Sequence, residues 1–304
     1  MVRKTVVGVI FVFLCFTGAM TGIASGETGH YVNGIEGIKG ASIPPPGFYY
    51  RMYNIFYNAD TMTDENGDDM NNDFDLTVFA NVHRFLWVSD KKILGAEFGA
   101  DIFIPLVYTD FEIGVASLTD DDFGLGDIAI EPFLLSWRRA RYDAAFGIAF
   151  YLPTGSYDKK EPASPGKDFW TAMFTLGGTL YFDPQKTWSA SLLARYETHG
   201  EKGDEDITPG DDFHFEWGIG KTFPGNQIWE VGVAGYCQWQ VSDDSGSDIT
   251  FDKGVHDKVF AIGPQVNLFI PSAKLSLLLM SEFEFNAEDR PEGNVTSLSL
   301  IKIF

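Results

Sequence analysis

The stretch that decides the fold is residues 169–197, which read FWTAMFTLGGTLYFDPQKTWSASLLARYE. Apolar residues occupy every second position from 170 to 182, and polar or small residues alternate with most of them. A period of two predicts a β-strand with one apolar face and one mixed face. Residues 183–186 then predict a tight turn, and a second apolar file begins at Trp188. The stretch is therefore a predicted hairpin with two long arms.

The length of these arms favours a membrane protein. Each arm has about ten residues, with aromatic residues near its ends, whereas strands of soluble proteins average about five or six. A polar second face is typical of the lumen of a barrel whose other face meets lipid. A soluble double-sheet fold is the alternative, since alternation by itself requires only one buried face.

The rest of the chain repeats the pattern and predicts an all-β fold, a transmembrane antiparallel up-and-down β-barrel of about twelve strands at 47–304. Short connections are predicted at 88–92, 138–141, 184–187, 224–227 and 271–274, and long ones at 59–73, 105–124, 153–168, 199–212, 242–257 and 286–294. The two kinds alternate strictly, as in barrels with short periplasmic turns and longer outer loops. Several of the long loops are rich in Asp and Glu.

Composition excludes some classes of function. The formal net charge of −21 argues against nucleic-acid binding, which requires a basic face. The five histidines are scattered without metal-ligand spacing, so neither a metal site nor a cofactor is predicted. No phosphate loop, dinucleotide fingerprint or nucleophile elbow stands in a supporting context. Acidic loops that bind divalent cations remain an open alternative.

The first 46 residues predict two segments that precede the barrel. Residues 1–26 have the basic start, short apolar run and small residues of a secretory signal peptide. Residues 27–46 are too rich in Gly and Pro for a helix or strand, so they are an N-terminal lead-in or a short plug. Cleavage leaves Cys237 as a single thiol, which cannot form an intramolecular disulfide.

The strand faces opposite the apolar files predict the lumen. Charged and aromatic residues alternate there, which suits a solute with an apolar body and a polar handle. The alternative is that these charged side chains, together with bound water, simply fill the interior of a narrow barrel. The lumen-facing candidates are Arg51, Phe79, Glu97, Asp101, Phe103, Glu131, Phe133, Tyr151, Tyr181, Arg195, Glu197, Tyr236 and Glu282.

Several short motifs together resemble one family of outer-membrane proteins, which is named for the meta-cleavage pathway of phenol degradation. The resemblance covers almost the whole mature chain and rests on GIKGA at 37–41, PPPG at 44–47, GLGD at 124–127, LPTGSY at 152–157, GD at 210–211 with His214, GYCQWQVSDD at 235–244, IGP at 262–264 and the terminal Phe304. Many members of the family are described as transporters.

The resemblance implies a barrel in the outer membrane of a Gram-negative cell and, by association, passage of small hydrophobic or aromatic compounds. It implies no catalytic residues. The expected partners are outer-membrane lipids, the solute, and the barrel assembly machinery acting on the C-terminal strand that ends in Phe304. Lys302 departs from the apolar residue usual at that position.

Two other functions stay open. One is a structural or surface-interaction barrel with a blocked lumen. The other is an outer-membrane lipid hydrolase, which needs a Ser or Thr beside a His on the barrel wall. His214 is its best candidate base, because it shares a file with Glu216.

Overall fold

The structure is a computed structural model, and it describes residues 29–304. The predicted signal peptide at 1–26 lies outside the described residues. The strands are β1 (Gly47–Met62), β2 (Phe74–Ile93), β3 (Ala96–Ile113), β4 (Leu118–Leu125), β5 (Ile128–Arg138), β6 (Tyr142–Leu152), β7 (Thr171–Tyr181), β8 (Trp188–His199), β9 (Asp212–Phe223), β10 (Ile228–Gln240), β11 (Lys258–Ile270), β12 (Leu275–Glu288) and β13 (Pro291–Ile303).

These strands form one closed antiparallel sheet. From β5 to β12 each strand pairs with the one that follows it in the chain. The barrel closes because β13 pairs with β1, β1 with β2, β2 with β3 and β3 with β5. The first half of β3 pairs with β5 and its second half with β4. Because β4 and β5 are separated only by Gly126 and Asp127, they act as two parts of one barrel strand. The prediction of an all-β barrel of about twelve strands is therefore confirmed.

Two predicted long loops are mostly paired strand. Residues 105–124 form a hairpin in which β3 runs to Ile113 and β4 returns beside it. A long connection is predicted at 286–294, but in the structure only residues 289–290 lie between β12 and β13. Both stretches contain acidic and turn-forming residues, which predict a loop, but an outer hairpin keeps its charges exposed while its backbone groups pair.

The face assignment of β2 differs from the prediction. The ring of Phe79 lies 4.7 Å from that of Phe56, which is 46% exposed on the outer surface. Ala80 and Val82 instead pack inward with Ile35. Both files of β2 are rich in apolar residues, so alternation does not decide which file faces lipid, and pairing with β1 sets the phase. Phe79 is therefore not a lumen residue.

Phe133 also lies on the outer surface, where its ring contacts those of Phe98 and Phe146. The register of β5 shifts between Ile130 and Phe133, which places a bulge at Pro132. A bulge inserts one extra residue, so every side chain after it changes face. Strict alternation does not include this extra residue. It therefore places Phe133 on the same face as Glu131, in the lumen, which is wrong.

The outer surface is apolar and belted by aromatic rings. Leu176, in the middle of β7, is 64% exposed, and Leu180 is 58% exposed. One belt of ring contacts runs across β9, β10, β11 and β12 through Phe215, Trp239, Phe260 and Phe285. So much exposed apolar surface is stable in lipid and not in water. No helix among the described residues is long and apolar enough to cross a membrane.

Candidate functional site

The candidate site is the barrel lumen together with residues 29–46, here called the lumen segment. Tyr31, Ile35, Ile38 and Ala41 of this segment are all less than 10% exposed. Ile35 packs with residues of β1, β2, β10 and β11 in the largest apolar cluster, so the segment runs inside the barrel. The described residues 29–46 therefore lie within the lumen, against its wall.

Glu216 of β9 is the principal anchor of the lumen segment. Its Oε2 accepts hydrogen bonds from three successive backbone N–H groups, those of Ile35 at 3.2 Å, Glu36 at 2.8 Å and Gly37 at 3.1 Å. Its Oε1 accepts a hydrogen bond from the Tyr31 hydroxyl. Hydrogen bonds to an ionised acceptor contribute about 1.5–3 kcal/mol each, so one carboxylate provides much of the attachment.

Small residues let the segment approach the wall. Gly218 faces Ile38, and a Cβ added at Gly218 would stand 2.7 Å from the Ile38 backbone N and Cα. Gly37 has a φ of 57°, in the left-handed region that favours glycine. Lys39 follows, donating to Thr222 at 2.9 Å and pairing with Glu230. A larger side chain at Gly218 would displace the segment from β9.

A charged network lies at the centre of the lumen. Arg51 donates to Glu36 at 2.7 Å, and Arg84 donates to Glu36 at 3.2 Å and to Asp101 at 2.7 Å. The Tyr53 hydroxyl also donates to Glu36 at 2.9 Å. Glu36 belongs to the lumen segment and the other four residues to the wall. The carboxylate therefore ties the segment to β1 and β2, opposite the Glu216 anchor.

The lumen arginines also stack on aromatic rings. The guanidinium of Arg51 lies 4.0 Å from the Tyr53 ring centroid, and that of Arg84 lies 4.7 Å from Phe103. Arg195 lies 3.7 Å from the Tyr31 ring and 3.3 Å from Glu216. Cations over aromatic faces in a partly dry site attract by about 0.5–2 kcal/mol. The lumen therefore combines planar apolar surface with directed N–H donors.

The remaining predicted lumen residues face inward but lie at different depths. Glu97 forms a two-point pair with Arg138 near the short turns, at 2.7 and 2.8 Å. Tyr181 donates to Asp143 at 2.6 Å in the same half. Tyr236 donates to Glu284 at 2.6 Å, and Glu131 lies 3.9 Å from Arg84. The inward-facing candidates of the prediction are Arg51, Glu97, Asp101, Phe103, Glu131, Tyr151, Tyr181, Arg195, Glu197, Tyr236 and Glu282.

A cavity of about 320 Å³ remains beside the lumen segment. Its wall includes Leu86, Phe103, Leu134 and Leu278, and its polar groups include the three lumen arginines. Volumes of this order are typical of pockets for small molecules. The space has the mixed lining expected for a solute with an apolar body and a polar end.

The GLGD motif at 124–127 connects the lumen segment to an outer loop. Asp127 accepts hydrogen bonds from the backbone N–H of Gly155 and of Lys167, both at 2.8 Å. The same carboxylate lies 3.0 Å from Nε2 of His30. Gly155, from the LPTGSY motif, is close-packed, since a Cβ added there would stand 2.6 Å from the Gly166 Cα. The two motifs are therefore parts of one junction.

The acidic loops after β8 and β10 also bind each other. Asp206 accepts hydrogen bonds from the Ser247 hydroxyl at 2.6 Å and from its backbone N–H at 3.1 Å. The hydroxyl contact holds the pKa of Asp206 below its usual value. Asp244 accepts from the Gly210 N–H at 2.7 Å, while burial raises its pKa. The two loops are therefore joined to each other by hydrogen bonds in addition to carrying surface charge.

His214 does not have the surroundings of a hydrolytic base. Its side chain is 1% exposed, and neither ring nitrogen has a hydrogen-bond partner among the described residues. A general base needs the nucleophile's hydroxyl within hydrogen-bond distance. Its neighbour Glu216 is engaged with the lumen segment. The hydrolase alternative therefore has no nucleophile at His214 in the part of the chain that the structure describes.

Sequence reasoning missed three of the residues that organise the lumen. Glu36 lies in a segment without periodicity. Alternation predicts the reverse phase for β2, which contains Arg84, and the sequence connects Glu216 only with the candidate base His214. A charged residue on an otherwise apolar strand was the available signal for Arg84, because such a residue must face the lumen. No signal in the sequence pairs Glu36 with Arg51 and Arg84.

Comparisons with known proteins agree with this architecture. The sequence model of the family described as "Putative MetA-pathway of phenol degradation" matches residues 59–300. No curated protein sequence matches the chain. The crystal structure of an outer-membrane channel from Pseudomonas putida F1 is similar, with a TM-score of 0.76 at 15% identity, covering 87% of this chain and 97% of that one.

The β-domain of a Bordetella autotransporter gives a TM-score of 0.53 at 12% identity, covering 85% of this chain and 99% of that one. The transport unit of an Escherichia coli autotransporter gives 0.51 at 9% identity, covering 85% and 90%. At such low identities these likenesses concern the fold, a barrel of the outer-membrane type.

Proposed function

The chain belongs to the family described as "Putative MetA-pathway of phenol degradation", and from that premise we propose that it is an outer-membrane channel for small hydrophobic or aromatic molecules. The membrane would be the outer membrane of a Gram-negative cell. The name of the family associates its members with phenol degradation, whose substrates are aromatic. The proposal applies that association to this lumen.

The observation that carries the proposal is the lining of the 320 Å³ cavity. Leu86, Leu134, Leu193 and Leu278 supply apolar wall, and the arginine–aromatic stacks supply flat surfaces with N–H donors at their edges. An aromatic ring with a hydroxyl or carboxylate group fits both features, because the ring packs on the apolar wall while its polar group accepts from a guanidinium. A sugar lacks the apolar body.

The lumen segment supports a second candidate, a barrel with a blocked lumen that serves a structural or surface role. Its attachments to Glu216, Arg51 and Arg84 fix it on two opposite walls. Passage of a solute therefore requires this segment to move or the solute to pass beside it. If neither occurs, the barrel is closed.

Solute flux into liposomes that contain the mature protein tests the two candidates. Benzenesulfonate is a suitable aromatic probe, because its fixed charge keeps it from crossing lipid, and a pentose of similar size is the comparison. Leu278→Trp would fill the cavity, whereas Leu279→Trp is the matched control on the 45% exposed outer face of the same strand. We expect wild type and L279W to pass benzenesulfonate faster than the pentose, and L278W to reduce that flux at least several-fold.

Equal flux of the two solutes through wild type would contradict the substrate class. An absence of flux of either solute, with the barrel folded, would favour the blocked barrel. An L278W variant that transports like wild type would mean that solutes do not use this cavity.

A further inference from the structure

Four titratable side chains meet at the outer end of the lumen on two neighbouring strands. Glu197 and His199 lie on β8, and Asp212 and His214 on β9, with Glu197 opposite Asp212 in the register. All four are buried, with side chains no more than 1% exposed. One ligand atom each from Glu197, His199 and Asp212 lies within 4.8 Å of the other two. We call these four residues the His–carboxylate cluster.

A chain of hydrogen bonds sets the tautomer of His199. It begins at Asp127, whose carboxylate lies 3.0 Å from Nε2 of His30 and accepts that N–H. Because Nε2 of His30 carries this proton, Nδ1 of the neutral ring is an acceptor. Thr171 Oγ1 lies 2.7 Å from this Nδ1 and therefore donates its proton to it.

The Thr171 oxygen lies 2.7 Å from Nδ1 of His199 as well. Since its one proton is used on His30, Thr171 accepts the Nδ1–H of His199. Nε2 of His199 then points at Asp212, whose Oδ2 lies 3.2 Å away. A cation between or beside these two atoms, either a proton or a metal ion, offsets the repulsion between their lone pairs.

His214 indicates which kind of cation fits. Neither of its ring nitrogens has a hydrogen-bond partner among the described residues, although the side chain is 1% exposed. Its Nε2 lies 3.8 Å from Oε2 of Glu197, beyond hydrogen-bond distance. Two ligand atoms of one tetrahedral zinc ion are separated by about 3.3 Å, given bonds of about 2.0–2.1 Å. A metal ion, unlike a single proton, can bind one atom each of Glu197, His199 and Asp212, and the unpartnered Nε2 of His214 lies beside Glu197 as a further ligand.

We propose that Glu197, His199, Asp212 and His214 form a binding site for one divalent transition-metal cation, with Zn²⁺ the best match. Two imidazoles and two carboxylates suit Zn²⁺, whereas Ca²⁺ and Mg²⁺ prefer oxygen ligands alone. The charge of the ion offsets that of two buried carboxylates. Thr171 orients His199 from behind, as outer-shell partners of metal-bound histidines do.

The position of the cluster couples such an ion to the lumen segment. The Tyr31 N–H donates to Glu197 Oε1 at 3.2 Å, and a Cβ added at Gly29 would stand 2.8 Å from Asp212 Oδ2. The beginning of the segment therefore covers the cluster. An ion bound there would hold Glu197 and Asp212 in the positions that the segment packs against.

Zinc titration of the folded mature protein tests the site. The protein is purified in detergent with a chelator, dialysed, and titrated with Zn²⁺ against a chromophoric competitor. The variants are His199→Asn, His214→Asn and Thr171→Val, each checked for heat-modifiable migration of the folded barrel. The matched control is His256→Asn, which removes an exposed loop histidine that lies 2.9 Å from Asp243.

We expect one Zn²⁺ per wild-type chain, at least about 100-fold weaker binding in H199N and H214N, and a loss of about 10–100-fold in T171V. H256N should bind as wild type does. Zinc X-ray absorption of the wild type should show two imidazole ligands, a result that does not depend on whether the variants fold. A folded wild type that binds no Zn²⁺, or zinc affinity unchanged in H199N and H214N, would overturn the proposal.

Discussion

The backbone N–H of Glu36 donates a 2.8 Å hydrogen bond to Oε2 of Glu216, and this contact joins the lumen segment to β9. The Glu36 side chain reaches the other way, to Arg51 and Arg84 on β1 and β2. One residue of the segment is thus bound to both sides of the barrel. The strength of these two attachments therefore determines how readily the segment can leave either wall.

Glu216→Gln should loosen the lumen segment. The amide keeps the shape of the side chain but lacks the charge that strengthens its hydrogen bonds from Ile35, Glu36 and Gly37. A loss of about 2 kcal/mol would shift the equilibrium between attached and detached segment about 30-fold. Planar-bilayer recordings should show more frequent opening. Glu288→Gln, at the partly exposed pair with Lys258, is the control and should behave as wild type.

Deletion of residues 30–43 should raise single-channel conductance while the barrel keeps its heat-modifiable migration. The deleted residues fill lumen space but contribute no strand to the sheet. A third protein carries a Gly/Ser linker of the same length in place of these residues. The linker still occupies space in the lumen but lacks the wall contacts of Tyr31, Ile35 and Ile38, so it distinguishes obstruction by volume from obstruction by attachment to the wall. Conductance that is the same in all three proteins would mean that the segment does not obstruct the pore.

Phe79→Arg should impair folding into bilayers more than Val78→Arg does. Phe79 faces outward beside Phe56, and a lipid-facing Arg costs about 2–4 kcal/mol at the bilayer midplane and less near the interfaces. Val78 is opposite Tyr57, whose hydroxyl donates to Glu284, so an Arg there has a carboxylate nearby. Folded fractions in lipid vesicles provide the measurement. A lower folded fraction for V78R than for F79R would contradict the structure and support the face assignment predicted from alternation.

Asp183→Asn should destabilise the barrel at neutral pH and make no difference in strong acid. Hydrogen bonds from the Thr187 hydroxyl and its backbone N–H lower the pKa of Asp183 in the folded protein. A lowered folded-state pKa adds stability above the unfolded pKa, and that stability disappears as the pH falls through the folded value. Urea unfolding at several pH values measures the difference. Asp90→Asn, an exposed carboxylate near the β2–β3 turn, is the control.

The acidic loops should face the cell exterior. In a Cys237→Ser background, Asp68→Cys between β1 and β2 should react with an impermeant maleimide on intact cells. Asn226→Cys, in the short turn between β9 and β10, should react only after the outer membrane is opened. Residues 68 and 226 are both exposed on the protein surface, so a difference in labelling between the two cysteines reports the side of the membrane and not burial. Labelling of position 226 alone would invert the topology.

The order of strands and turns was readable from the sequence because a membrane barrel imposes local rules. Each arm must be long, must present an apolar file to lipid, and must reverse at a short turn, so residues 169–197 already contain the repeating unit. The twelve-stranded fold predicted from this pattern is confirmed by the structure, and the family, which short sequence motifs indicated, is confirmed by the family model. The lipid-facing side of β2 and the bulge at Pro132 could be recognised only from the pairing with neighbouring strands. An apolar residue on either face gives the same pattern in the sequence.

The sequence by itself determined the fold class, the alternation of short and long connections, and the inward direction of most charged residues. Only the tertiary structure decided which of those residues meet. His199 and Asp212 are joined by an outer loop, and His30 and Thr171 are 141 positions apart, yet closure of the barrel brings all four side chains into one continuous chain of polar contacts. Glu36 finds Arg51 and Glu216 for the same reason. Periodicity reports what each strand presents to its surroundings, whereas contacts across a lumen depend on register, curvature and the path of a segment that has no periodicity.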